Sequence, residues 1–181
     1  MSASEYSKRQ VGEATVFEVK PAPQKKFMMI VIGGAVLLLM ALSFFKSMPL
    51  FSMIMIGLAG WAIWWGWVRD LRPAEHRNTA TFRVTPEVIE SNGRSFRKDE
   101  IHRLIIKNGI TNDVRTIPGV LIQVPTAMAM GGAHRMQVSL TANALEVETG
   151  GRGYVLAGGM DETTAFGLMS DVSRVLGFRA S

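Results

Sequence analysis

Two stretches of this chain break an otherwise mixed polar and apolar pattern by carrying no charge. Phe27–Phe45 (FMMIVIGGAVLLLMALSFF) runs for nineteen residues and Pro49–Val68 (PLFSMIMIGLAGWAIWWGWV) for twenty. A helix rises about 1.5 Å per residue, so each run matches the roughly 30 Å hydrocarbon core of a bilayer. Only Lys46-Ser47-Met48 separates them. Pro49 suits a first helical position, where its missing N–H would be unpaired anyway. The pattern predicts a hairpin of two transmembrane helices over 27–72. A cleaved signal sequence fits the first run poorly, because it is long, starts late and lacks a small-residue cleavage pattern.

From Thr79 the period changes to two. Thr79–Val84, Glu87–Ser91, Ser95–Arg97, Ile101–Lys107, Val120–Val124, Gln137–Thr141, Ala144–Thr149 and Tyr154–Ala157 read as short strands. Asn92-Gly93 is a strong hairpin signal, and Gly150-Gly151-Arg152-Gly153 supplies a turn that tolerates positive φ. The last segment is helical. Asp161 is placed to cap Glu162–Leu176, whose Ala165, Leu168, Met169, Val172 and Leu176 form one apolar face, and Gly177 stands where a left-handed stop residue belongs. Residues 73–181 therefore predict one domain of short antiparallel strands closed by one amphipathic helix. Met1–Lys26 reads as a cytoplasmic N-terminal arm. The alternation Thr15-Val16-Phe17-Glu18-Val19 keeps open a strand added to the edge of the domain's sheet.

Charge bears on orientation. The net charge is +5. Residues 1–73 hold eight Lys/Arg against four Asp/Glu, and residues 74–181 hold twelve against eleven. The basic excess thus flanks the apolar runs, which argues against a nucleic-acid surface. Lys46 stands alone in the turn, whereas Lys20, Lys25, Lys26, Arg69, Arg72 and Arg77 lie on the other side. The positive-inside rule then places both termini in the cytoplasm. Trp61, Trp64, Trp65 and Trp67, with Arg69 and Arg72, read as an aromatic and basic belt at the membrane interface. Neither run contains an ionisable residue, which argues against an ion or proton path within the hairpin. There is no cysteine, so disulfides and thiolate chemistry are excluded.

The run Phe82-Arg83-Val84-Thr85-Pro86-Glu87-Val88-Ile89-Glu90-Ser91-Asn92-Gly93, followed by Asp99-Glu100-Ile101-His102-Arg103-Leu104, resembles the bacterial PH-like membrane proteins with two N-terminal transmembrane helices. The resemblance implies a membrane helical hairpin plus an α+β domain, a PH-like antiparallel barrel or sandwich capped by one C-terminal helix. It also implies a bacterial inner-membrane location and a binding or scaffolding role. It transfers no catalytic residue. Thr85-Pro86 lacks the basic cluster that phosphoinositide-binding members carry, so lipid-headgroup binding is not implied.

The residues themselves offer little chemistry. His76, His102 and His134 lack metal or triad spacing. His76, in Glu75-His76-Arg77, reads as solvated. No phosphate loop or nucleophile motif occurs, so no cofactor or metal is expected. Two features remain as candidate partner or lipid contacts. One is the basic group Arg94, Arg97, Lys98 and Arg103. The other is the Met-rich segment 126–136, with Met128, Met130 and Met136, read as a loop closing over the core or docking on a partner. The leading expectation is a non-catalytic, membrane-anchored scaffold that meets other membrane proteins or itself, with anionic lipid as a further partner. The alternative is an accessory subunit of a transport or electron-transfer complex. An enzyme acting on lipid would have only Asp70, Glu75 and His76 near the interface.

Overall fold

The computed structural model describes residues 4–24, 26–115 and 132–178. The chain forms two compact units. Gln24–Asp70 is helical, and Met1–Pro23 joins Leu71–Ser181 in the other.

In the helical unit, α1 (Met28–Ser43) and α2 (Pro49–Val68) pack as an antiparallel hairpin. Glycine sets the approach. A Cβ on Gly34 would lie 2.7 Å from Ile63 Cγ1 and 3.1 Å from the Ala59 carbonyl, and one on Gly66 would lie 3.2 Å from the Phe27 carbonyl. At the open end the Phe27 N–H donates to the Gly66 carbonyl at 3.0 Å, and Gln24 Nε2 donates to the Val68 carbonyl at 3.1 Å.

The expectation of two spanning helices needs correction. Among the described residues, only α2 is long and apolar enough to cross a membrane. At 16 residues, α1 rises about 24 Å, short of the hydrocarbon core. Phe27 lies before its first turn and Phe44 caps its last, while Phe45 belongs to the reversal into α2. An apolar run records the environment the side chains prefer. Backbone geometry at the turn decides where the helix stops.

In the other unit, β1 (Glu5–Val11), β2 (Ala14–Lys20), β3 (Ala80–Val84), β4 (Val88–Ser91) and β5 (Arg94–Arg97) form an antiparallel meander in chain order. The helical unit is inserted between β2 and β3, which pair with Phe17 opposite Phe82, rings stacked at 5.3 Å. Residues 5–20 are therefore not a separate arm but two strands of the sheet. The second sheet has the order β7-β6-β8-β9, from β6 (Ile101–Asn108), β7 (Val114–Arg115), β8 (Asn143–Thr149) and β9 (Arg152–Met160). Asn92 and Gly93 turn β4 into β5 at φ 50° and 73°, and Gly150 and Gly151 do the same between β8 and β9, as two-residue hairpins require.

Two short helices complete the set. α3 (Gly132–Ser139) occupies part of the stretch whose alternation predicts a strand. Tertiary bonds stabilise it: Asn108 Nδ2 donates to the Ser139 carbonyl at 2.7 Å, and the Gly109 N–H donates to the Ala142 carbonyl at 2.9 Å. α4 (Glu162–Leu176) has its predicted bounds. Asp161 accepts from the Thr164 N–H, and Gly177 stops the helix at φ 70°. Its Leu168, Val172 and Leu176 join Phe17, Phe82, Ile89, Ile106, Leu145 and Leu156 in one core.

The PH-like barrel with a single capping helix is also corrected. The architecture is α+β, with two separate antiparallel sheets and four helices among the described residues. No described strand of one sheet is hydrogen-bonded to a strand of the other, so β5 and β9 remain edges. The strand predicted at Val120–Val124 and most of segment 126–136, including Met128 and Met130, lie outside the described residues, as does the His134 side chain.

Candidate functional site

Both crossings between the two units are fixed to the end of β9. After β2 the chain turns at Pro21, and the Ala22 N–H donates to the Gly159 carbonyl at 2.8 Å. Coming from α2, Arg72 is buried, and its Nη1 donates to the Ala22 carbonyl at 2.6 Å. Arg77 folds back to donate to the Arg72 carbonyl through Nε at 3.0 Å and Nη2 at 2.7 Å. The crossings are thus bonded to each other as well as to the sheet.

His76 sits at the centre of this arrangement on a single helical turn, Ala74–His76. It is 4% exposed, unlike the solvated residue its charged neighbours predict. Glycines make its slot. A Cβ on Gly109 would lie 2.7 Å from His76 Cε1, and one on Gly158 would lie 2.6 Å from Cδ2 and Cγ. A Cβ on Gly159, at φ +75°, would strike the His76 carbonyl and lie 2.7 Å from Pro21 Cβ. The ring is hydrogen-bonded to the Ala142 carbonyl, and Nδ1 has no partner among the described residues. Burial pushes its pKa below the usual histidine value, and Arg72 and Lys107 add to this, against Glu75 and the Ala142 bond. Glu146, nearly buried on β8, shifts the opposite way: burial raises its pKa, Glu75 adds to the rise and Lys107 opposes it. Proximity of this kind is a property of the fold, since these residues come from the linker, β6 and β8.

Beside this cluster lies a cleft of about 490 Å³ lined by Glu75 and Asn78–Ala80, the β4–β5 turn with Arg94, Phe96, and Gly153–Leu156 of β9. Phe96 and Tyr154 pack at 5.2 Å between centroids, with the Arg94 guanidinium 5.1 Å from the Tyr154 ring. On the side away from β8, Gly153–Leu156 make no backbone bond among the described residues.

The predicted belt divides. Trp61, Trp64 and Trp67 are more than half exposed along α2. Trp65 instead packs on Phe27 at 5.2 Å, with the Arg69 guanidinium 4.6 Å from its ring, and Lys26 Nζ stands 3.0 Å from the Trp67 ring. Arg72 does not belong with them, being buried in the sheet unit. Each member of the basic group has its own neighbours. Arg94 and Arg97 stand on β5, with Arg97 paired to Asp99 at 3.2 Å. Lys98 lies over the Phe178 ring, and Arg103 on β6 is paired to Glu148 of β8. Met136 is exposed on α3.

Among the described residues no three His, Asp or Glu side chains come together as a metal site needs. Compared with protein-family models, with curated proteins and with solved structures, the chain matches none. The site must be read from its own geometry.

Proposed function

We propose that this chain is a non-catalytic, membrane-anchored interaction module, held by its helical unit and meeting other proteins through its sheet unit. The observation that carries this reading is the surface of α2. The helix is uncharged over twenty residues, and only 17% of its most apolar window is buried. The core helix of a soluble domain buries such a surface, and leaving it in water would cost about 25 cal/mol per Å². Both ends of the helical unit connect to strands of one sheet, so in this reading α2 supplies the bilayer contact while both ends of the unit return to the sheet unit. Lys26 and Arg69 at the open end, against Lys46 at the turn, favour the cytoplasmic face of a bacterial inner membrane.

The interaction surface in this reading is the open edge of β9. Gly153–Leu156 offer unpaired backbone groups beside an aromatic pair, which suits an extended polypeptide segment adding as a strand. The chain itself uses the adjoining part of this edge, where Ala22 bonds Gly159. Two experiments test the proposal. The full chain should resist carbonate extraction from membranes, and extraction into the soluble fraction would refute the anchor. A photo-crosslinker at Val155 in native membranes should join to polypeptide, and one at Arg9 on β1, an edge of the other sheet, should not. Adducts to lipid alone at Val155 would refute the docking edge.

An accessory subunit of a membrane complex is the second reading, and the outward-facing Trp61, Trp64 and Trp67 favour it. Stoichiometric recovery with a membrane enzyme in mild detergent, lost on changing these three to leucine, would select it over the first.

A further inference from the structure

The linker between α2 and β3 is pinned by one buried side chain that can acquire a charge. The His76 ring fills a slot in which Gly109 and Gly158 leave no space for even a methyl group, and Gly159 makes the same room for the His76 carbonyl. One ring nitrogen is satisfied by the Ala142 carbonyl, and Nδ1, beside Gly109, has no partner among the described residues. That pattern specifies the neutral tautomer with its proton on Nε2. A second proton, on Nδ1, would create a buried N–H with no acceptor among the described residues, and a buried unsatisfied donor on a charged group is strongly unfavourable.

The surrounding charges do not rescue it. On its own segment, Arg72 opposes a positive ring and Glu75 favours one. Across from it, Lys107 of β6 opposes it, while Glu146 of β8 faces Glu75 and Lys107. The other elements that touch the ring or its backbone, at Pro21–Ala22, Asn108–Ile110 and Gly158–Met160, carry no titratable side chain.

We propose that His76 is an acid-released latch, holding Pro73–Arg77 on the sheet unit when neutral and freeing that segment when protonated. Release would not stop at His76. Arg72 belongs to the same segment and bonds Ala22, and Arg77 bonds Arg72, so both crossings between the units would loosen together. Leu71–Thr79, once freed, offers up to about 30 Å of extended tether. The gated quantity is the freedom of the chain between the anchor and the sheets, and the cleft lined by Glu75 and Asn78–Ala80 would lose one wall.

Amide hydrogen exchange on the full chain in lipid nanodiscs, corrected for intrinsic rates, tests this. Between about pH 7.5 and pH 5, protection of residues 71–79 should fall about tenfold or more while α4 stays protected. His76→Gln keeps a donor for Ala142 and cannot charge, so it should abolish the pH dependence. Unchanged protection in the native chain, or the same fall in the variant, would overturn the latch. Should the variant not fold, NMR titration of the native histidines decides. A His76 midpoint below the ordinary histidine value of about 6.5, reached as linker protection is lost, supports the latch, and a midpoint at or above it overturns it.

Discussion

Asp161 carries three jobs on one carboxylate. It caps α4 through the Thr164 N–H, and its other oxygen accepts from the backbone and hydroxyl of Ser4, which hold the start of β1 beside the helix. Burial works against its charge, but the bonds from Thr164 and Ser4 outweigh this and hold its pKa below the usual value. Asp171 behaves alike, with Lys8 and Tyr6 as donors. The stability these two contribute is complete above the ordinary carboxylate range and is lost as pH falls through their lowered values. His76 acts earlier. Its lowered folded value means stability is complete above about 6.5 and declines as pH drops below it. Acid unfolding of the full chain should therefore show two separate ranges by circular dichroism, with His76→Gln removing only the upper one. Asp161→Ala should cost about 1–2 kcal/mol, read as a shift in denaturation midpoint. The cap was legible because it depends on neighbours three residues away. His76 was not, because its flanking charges mark a surface while its burial is made by glycines from β9 and the end of β6.

At the scale of elements, the helical hairpin separates composition from packing. Gly33 and Gly34 are adjacent and equally apolar, yet a Cβ on Gly33 meets nothing within 4 Å and one on Gly34 meets Ile63 and the Ala59 carbonyl. Gly34→Ala should destabilise the hairpin by about 1–3 kcal/mol. Gly33→Ala should be neutral or mildly stabilising through helix propensity. All four tryptophans lie in α2, so indole fluorescence during denaturation in micelles reports this unit. A hairpin equally sensitive at both positions would contradict the packing. Local turn chemistry served the strands well, since Asn92-Gly93 and Gly150-Gly151 form the turns their sequences predict. Alternation failed at Gln137–Thr141, where the chain is helical up to Ser139 and bonds from Asn108 and Gly109 hold this stretch in place of strand pairing.

For the molecule as a whole, the sheet unit is assembled from both ends of the chain. Phe17 and Val19 of β2 are fully buried in a core whose other members all follow the helical unit in sequence. Phe17→Ala should cost about 3–5 kcal/mol, a large part of a typical domain's 5–15 kcal/mol. Loss of the cooperative transition in residues 80–178, followed by hydrogen exchange, would register it. Native-like protection there after the substitution would mean that β1 and β2 are accessory. The same pairing makes the helical unit an insertion within one sheet, between the neighbouring strands β2 and β3.

By itself the sequence determined what depends on neighbours: the uncharged runs, the turn pairs, the caps and the amphipathic face of α4. Each follows from backbone geometry or solvent preference within a few residues. The tertiary structure alone decided that β2 pairs with β3 across the helical insertion, that the strands divide into two sheets instead of one barrel, and that α1 ends short of a membrane's thickness. It also decided that Arg72 and His76 leave the surface. Those outcomes rest on contacts between distant residues, and no local pattern encodes which distant partner will close over a side chain.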